Sequence, residues 1–218
     1  LPHNQYEFRD SRGKPVRVLV TRNVYGDQVS VLAEILAKEK GIRRMFLFGN
    51  AGSLAPEIGI GATISPKRLF RPAGMKSEYD GPSSTDGDVP ANRPDGDALA
   101  GLSGRRPALP WMKGYSTQAE VHSVFSPLQE SASFVADLQC RGVQVVDVEV
   151  DPFLDALEDL GAGGFQVRGG AYLIISDQPG RELTLSDLFK TEPLLGESRG
   201  RALDLIFHDL DISAPGGE

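Results

Sequence analysis

Short apolar runs alternate along this chain with stretches of helical periodicity. Val16–Thr21 (VRVLVT) is a continuous β-branched run, which predicts a strand covered on both faces. Asp27 is placed to cap a helix with Val29, Leu32, Ala33 and Leu36 on one stripe, and Gly41 to end it. Met45–Phe48 (MFLF) predicts a second buried strand, running into a Gly49-Asn50-Ala51-Gly52 turn. Ala62–Ser65 predicts a third. Ser126-Pro127-Leu128-Gln129 reads as a capping box opening a helix that carries Leu128, Ala132, Val135 and Leu138 and stops near Gly142. Val143–Val150 (VQVVDVEV) predicts another strand, and Asp151-Pro152 the start of a helix with Leu154, Leu157 and Leu160. Ala171–Ser176 (AYLIIS) is the last expected strand. Ser198 to Leu210 reads as an amphipathic helix with Ala202, Leu203, Ile206, Phe207 and Leu210 inward. Such alternation predicts an α/β fold, a largely parallel twisted sheet flanked by helices, in one domain over residues 1–218.

Composition changes this picture in one place. The 218 residues include 25 Gly and 15 Pro, about 18% against an average of roughly 12%. Six of each fall between Pro72 and Pro110, where Glu78 to Asp97 also carries six acidic side chains against the single Arg93. So few apolar residues cannot offset the entropy of ordering, so a flexible surface insertion is expected at 72–110. A polar, frayed tail is expected over Ser213–Glu218.

Charge and cysteine content exclude several classes. The formal net charge of −7 argues against a nucleic-acid polymer as partner, since phosphate binding needs a basic field. A lone cysteine, Cys140, rules out an internal disulfide framework; it lies in an amphipathic helix pattern, where an inert thiol is expected. No run of ~18 apolar residues is present, so no membrane partner is expected. The chain begins with Leu and shows no charged-then-apolar leader, which leads to an expected cytoplasmic location.

In α/β sheets, ligands bind beyond the carboxyl ends of the strands. Those ends carry Thr21-Arg22-Asn23, Gly49–Gly52, the Asp147 and Glu149 pair, and Ser176-Asp177. Glycines admit a ligand close to the backbone, and paired carboxylates grip hydroxyls or move protons. Each signal also has an ordinary structural explanation. Alternation with Val146, Val148 and Val150 suits a half-exposed strand, Asp177 suits a turn before Gln178-Pro179-Gly180, and Gly49–Gly52 suits a tight turn. His122 reads as a polar loop residue, and His3 and His208 lack company for a metal site. Dinucleotide, nucleophile-elbow and P-loop signatures are missing from the sequence.

Three segments in order resemble the nucleoside phosphorylase and nucleosidase superfamily. FLFGNAGSLAPEIGIGATISPKRL resembles the strand that meets a Gly-[Ser/Thr]-x-Gly turn. VVDVEVDPFLDALEDL resembles the strand ending in Met-Glu before a helix, and AYLIISDQPG the strand ending in Ser-Asp. The resemblance spans Val16 to Gly180, interrupted by the insertion, and implies a three-layer fold and cleavage of an N-glycosidic bond in a nucleoside or nucleotide. It implies that Glu149 binds the ribose, that Asp177 supplies a proton to the leaving base, and that Ser176 supports Asp177. Gly49, Asn50 and Gly52 would then face the nucleophile, with Val148 at the family's Met position. Phe125 is the candidate aromatic for stacking on the base.

Departures from the family pattern bear on the reaction. Leu47 occupies the position of a phosphorylase's phosphate-binding Arg, and Asn50 that of a phosphate-binding Ser or Thr. The family's N-terminal glycine turn has no counterpart, and would lie upstream of Val16. Loss of charge-assisted phosphate contacts favours hydrolysis over phosphorolysis, with Arg22 as a candidate substitute cation. No metal or organic cofactor is implied; phosphate is the one candidate co-substrate. A homo-oligomer is implied by the family. A non-catalytic relative, binding a nucleoside or a protein, is the competing expectation.

Overall fold

A computed structural model of the chain describes residues 3–21, 24–69, 117–124, 126, 130–180 and 188–212. The expected insertion at 72–110 and tail at 213–218 lie outside the described residues, as do Leu128 and the rest of 127–129. None of the described helices is long and apolar enough to cross a membrane.

Two strands form a separate hairpin. β1 (His3–Arg9) pairs antiparallel with β2 (Pro15–Thr21) along its whole length. β2 was expected to be covered on both faces, but among the described residues β1 is its sole strand neighbour and Val20 stays 47% exposed. On one face Phe8, Val16 and Val18 pack against Ile206, Leu210 and Ile212.

The remaining strands close into a barrel in the order β3-β6-β5-β4-β7. β3 (Arg44–Ser53) runs parallel to β7 (Arg168–Asp177) over their full lengths. β4 (Thr63–Leu69) and β5 (Thr117–Ser123) are parallel, as are β5 and β6 (Val145–Asp147). The β3/β6 and β4/β7 pairings are antiparallel, so the expected largely parallel sheet is a mixed one. Connection length explains part of the difference. Only residues 54–62 separate β3 from β4, too few for a crossover that would keep β4 parallel to the β3/β7 pair.

Helices pack around the barrel. α1 (Gln28–Lys38) follows Asp27 as expected, although the Asp27 side chain makes no cap hydrogen bond. α2 (Ala132–Cys140) starts later than the expected Ser126 box; its cap is Ser131, whose hydroxyl accepts from the Phe134 N–H. α3 (Val150–Ala162) and α4 (Leu188–Asp209) complete the helices among the described residues, α4 beginning ten residues before the expected Ser198. The main core joins α1 (Val29, Ala33, Ala37) to α3 (Phe153, Leu154, Leu157) and to barrel residues Ile64, Val121, Val145 and Ile175. A smaller cluster of Leu54, Val135, Leu138, Val143 and Val146 lies under α2. Close contact between β3 and β7 requires Gly169, where a Cβ would stand 2.0 Å from the Met45 carbonyl oxygen and 2.8 Å from Leu157.

Candidate active site

Three adjacent strands bring the acidic residues together. At the end of β3, Gly52 pairs with Asp177 of β7 on one side and with Val146 of β6 on the other. A bulge between Ala51 and Gly52 shifts the register at this point. Gly49–Gly52 is therefore strand and not the expected tight turn, because all four residues stay paired to β7. Gly52 has a packing reason: a Cβ there would meet the Pro179 ring at 2.8 Å and Val146 at 3.2 Å. Asn50 lies two residues earlier and is exposed, beside the partly buried Gly49.

Asp177 ends β7 and is only 4% exposed. The buried Ser176 hydroxyl donates to its Oδ1 at 2.9 Å and lies 3.4 Å from the Ala51 carbonyl. Burial raises the Asp177 pKa, and the Ser176 hydrogen bond offsets this in part. Glu130, just before α2, lies within electrostatic reach of Asp177. Its own pKa is pushed up to about 7, first by burial and then by the Asp177 charge.

Glu149 is not on a strand, as the sequence pattern suggested. β6 stops at Asp147, and Glu149 is the N-cap residue of α3. The reason lies in Asp147, whose Oδ2 accepts the N–H groups of Glu149 at 2.9 Å and Val150 at 2.6 Å. Side-chain capture of those amides turns the backbone into a helix where the valine alternation predicted more strand. Ser123, the cross-strand partner of Asp147, donates its hydroxyl to Oδ1 at 2.6 Å and accepts the Asp151 N–H at 2.9 Å. Asp147 is 4% exposed, and its pKa is pushed up to about 7 because burial outweighs the hydrogen bonds from Ser123, Val150 and Glu149.

The Glu149 carboxylate reaches away from its own helix. Its Oε1 accepts the Gly26 N–H at 3.2 Å, from the turn before α1. Burial raises its pKa, offset by the backbone hydrogen bonds from Gly26 and Val148. Val148 is half-buried, 3.8 Å from where a Gly26 Cβ would stand. The turn before α1 thus closes over residues 148 and 149.

The structure sets Ser176 and Asp177 beside Gly52, with Gly49 and Asn50 just upstream on β3, and Val148 and Glu149 follow two and three residues after Val146, the β6 partner of Gly52. Arg22 and Phe125 lie outside the described residues. His122 is no loop residue: it sits in β5, 2% exposed, against the Phe134 ring at 6.2 Å. Cys140 ends α2 and is exposed. Among the described residues, no group of three or more His, Cys, Asp or Glu is arranged to hold a metal ion. Sequence reasoning missed Ser123, Glu130 and Gly26. A polar strand pattern hid Ser123, and the other two join the site only through tertiary contacts.

Such an arrangement suits proton transfer beside hydroxyl binding. Burial makes both carboxyls hold a proton more tightly than in water, and a half-buried carboxyl can accept hydrogen bonds from hydroxyls.

No family model matches the sequence, and no curated protein matches it. Solved structures do match the fold. S-adenosylhomocysteine nucleosidase from Streptococcus pyogenes, in complex with 5-methylthiotubericidin, superposes with a TM-score of 0.65 at 14% identity, over 95% of this chain and 87% of that one. Futalosine hydrolase of Helicobacter pylori superposes at 0.66 and 14% identity, over 96% of this chain and 84% of that one. The 5′-methylthioadenosine/S-adenosylhomocysteine nucleosidase of Neisseria meningitidis, in complex with methylthio-immucillin-A, gives 0.65 at 14%, over 96% and 86%. The likeness shows the fold: this chain has the nucleosidase architecture that its three motifs resemble.

Proposed function

We propose that the chain is a divergent member of the nucleoside phosphorylase and nucleosidase superfamily that hydrolyses the N-glycosidic bond of a nucleoside or nucleotide. One observation carries the reading. Asp177, buried and holding its proton more tightly than an ordinary carboxyl, ends the strand next to the one leading to Gly52, and Glu149 stands just past the strand on the other side. On this reading the two carboxyls serve opposite halves of a nucleoside.

In this mechanism Glu149 binds the ribose hydroxyls, and its charge favours the oxocarbenium-like sugar of the transition state. The C1′–N bond breaks with its electron pair passing to the base, which takes the Asp177 proton. A water oxygen bonds to C1′, and the proton it releases restores the starting charge of the site. Ser176 orients the Asp177 carboxyl through the Oδ1 hydrogen bond. Gly49, Asn50 and Gly52 face the nucleophile, and no metal or organic cofactor enters any step. Leu47, in place of a phosphate-binding Arg, supports water over phosphate as nucleophile.

Incubation with a panel of nucleosides and nucleotides, with and without phosphate, tests the reading by release of free base. Base release without phosphate is expected, and no release under any condition overturns it. The exposed Asn50 and the lost Arg support a second reading, a nucleoside-binding relative without catalysis. That reading predicts ligand-dependent thermal stabilisation with no base released. A homo-oligomer is part of the proposal, and light scattering in solution checks it.

A further inference from the structure

We propose that Asp147, together with Ser123, is the positioning residue for the Glu149 carboxylate. The inference rests on the sugar-binding role proposed for Glu149 and adds what holds that group in place. An N-cap residue ordinarily turns its side chain back onto the first amides of its own helix. Glu149 is the N-cap of α3 and makes no such bond. Asp147, two residues earlier, takes the amides of Glu149 and Val150 instead, and Ser123 takes the amide of Asp151. Three consecutive N–H groups are thereby satisfied without Glu149.

The Glu149 carboxylate is left free to meet Gly26 and a ligand. Its backbone is fixed as well: its N–H is held by Asp147 and its carbonyl accepts the Phe153 N–H at 3.0 Å. Ser123 ties the assembly to the barrel, since Ser123 and Asp147 face one another across β5 and β6, and the Val124 N–H donates to the Asp147 carbonyl at 2.7 Å. A Ser at position 149 would cap the helix without any carboxyl. Displacing the cap to Asp147 leaves the longer acidic side chain at 149 off its own helix, directed to Gly26.

The test compares a ribonucleoside with its 2′-deoxy analogue, since a correctly placed Glu149 distinguishes them by a charge-assisted hydrogen bond. Glu149→Gln should lower the ribo-to-deoxy ratio of kcat/KM by roughly 10–100-fold. Asp147→Ala should lower the same ratio to a similar value, and combining it with Glu149→Gln should lower it no further. Asp147→Asn, which keeps an acceptor for the two amides, should restore much of the ratio. Loss of both substrates in equal proportion, with the ratio unchanged, assigns Asp147 a purely structural role and overturns the inference. Should Asp147→Ala fail to fold, Ser123→Ala must lower the ratio and Ser123→Thr restore it, or the inference falls.

If the wild-type protein releases no base from any nucleoside, the functional reading fails by itself. Placement of Glu149 is then read from the Gly26 amide resonance. It should shift in Asp147→Ala as it does in Glu149→Gln; a Gly26 resonance that moves only in Glu149→Gln overturns the positioning role.

Discussion

Raising the pH through neutrality should destabilise this protein, and Asp147 should account for a measurable share of the loss. Burial pushes its carboxyl up to about 7 in the folded chain from an ordinary value of 3.8. Between those values the folded state binds more protons than the unfolded one, so stability falls as pH rises. The contribution is fully present below pH 4 and gone above pH 8. Over the window from pH 5 to pH 8 it amounts to about 3 kcal/mol, a large fraction of the 5–15 kcal/mol typical of a domain. Urea unfolding of the wild type and Asp147→Asn at four pH values across that window measures it. Glu130 and Asp177 also have raised pKa values, but both proteins carry them and they cancel in the difference, whereas Glu149, whose charge acts on Asp147, leaves a smaller residual. The wild-type curve should fall relative to the variant by about 3 kcal/mol from pH 5 to pH 8. Parallel curves would refute the claim that Asp147 is buried against a charge penalty.

Further outcomes follow from the same geometry. Asp177→Asn should lower the rate of base release by about 10²–10⁴-fold while thermal unfolding shows an intact fold; unchanged turnover removes Asp177 from the mechanism. Gly169→Ala forces a Cβ onto the Met45 carbonyl and should cost about 3 kcal/mol, seen as a fall in Tm of roughly 6–12 °C. Gly59→Ala, with nothing within 4 Å of the added carbon, is the control and should change Tm little. Initial rates in phosphate-free buffer should match those with phosphate added; a strict phosphate requirement would make the reaction phosphorolysis.

The parts of the fold legible in the sequence are those where burial and local pattern agree. MFLF and AYLIIS lie in the paired strands β3 and β7, where every one of these residues except Phe48, 37% exposed, is buried or partly buried. β1 and β5 escaped because their pattern is polar. HNQYEFR lies along one edge of a two-stranded hairpin with most side chains in water. TQAEVHS hides two fully buried apolar residues, Ala119 and Val121, among polar ones, and buries His122 as well. At residues 145–150 the valine alternation was a true periodicity with a misleading meaning. Asp147 spends its side chain on the following amides, and a tertiary hydrogen bond to Ser123 decides strand against helix. Site residues divide in the same way: Ser176-Asp177 and Glu149 sit in recognisable local motifs, whereas Glu130 and Gly26 come from far along the chain.

The chain's acidity and the proposed reaction belong to one electrostatic argument. An acid for the leaving base has to keep its proton near neutral pH, and two features of this site promote that. Asp177 is withdrawn from water, and the neighbouring Glu130, itself pushed up to about 7 by burial and by the Asp177 charge, brings no cation to favour ionisation. A phosphate nucleophile would bring a third negative group to carboxyls already disfavoured as anions, and Leu47 stands where the phosphorylase pattern supplies an Arg to offset it. Water brings no charge. On the proposed reading, the environment that would let Asp177 act as an acid is also the one that favours hydrolysis. A cation at position 47 tests the nucleophile alone, since Leu47 pairs with Ala171, six residues before Asp177 on β7, and packs on the main core. Leu47→Arg is expected to make turnover respond to phosphate and to leave the acid-dependent limb of the pH–rate profile unmoved. A variant whose turnover stayed indifferent to phosphate would show that loss of the Arg does not by itself set the nucleophile.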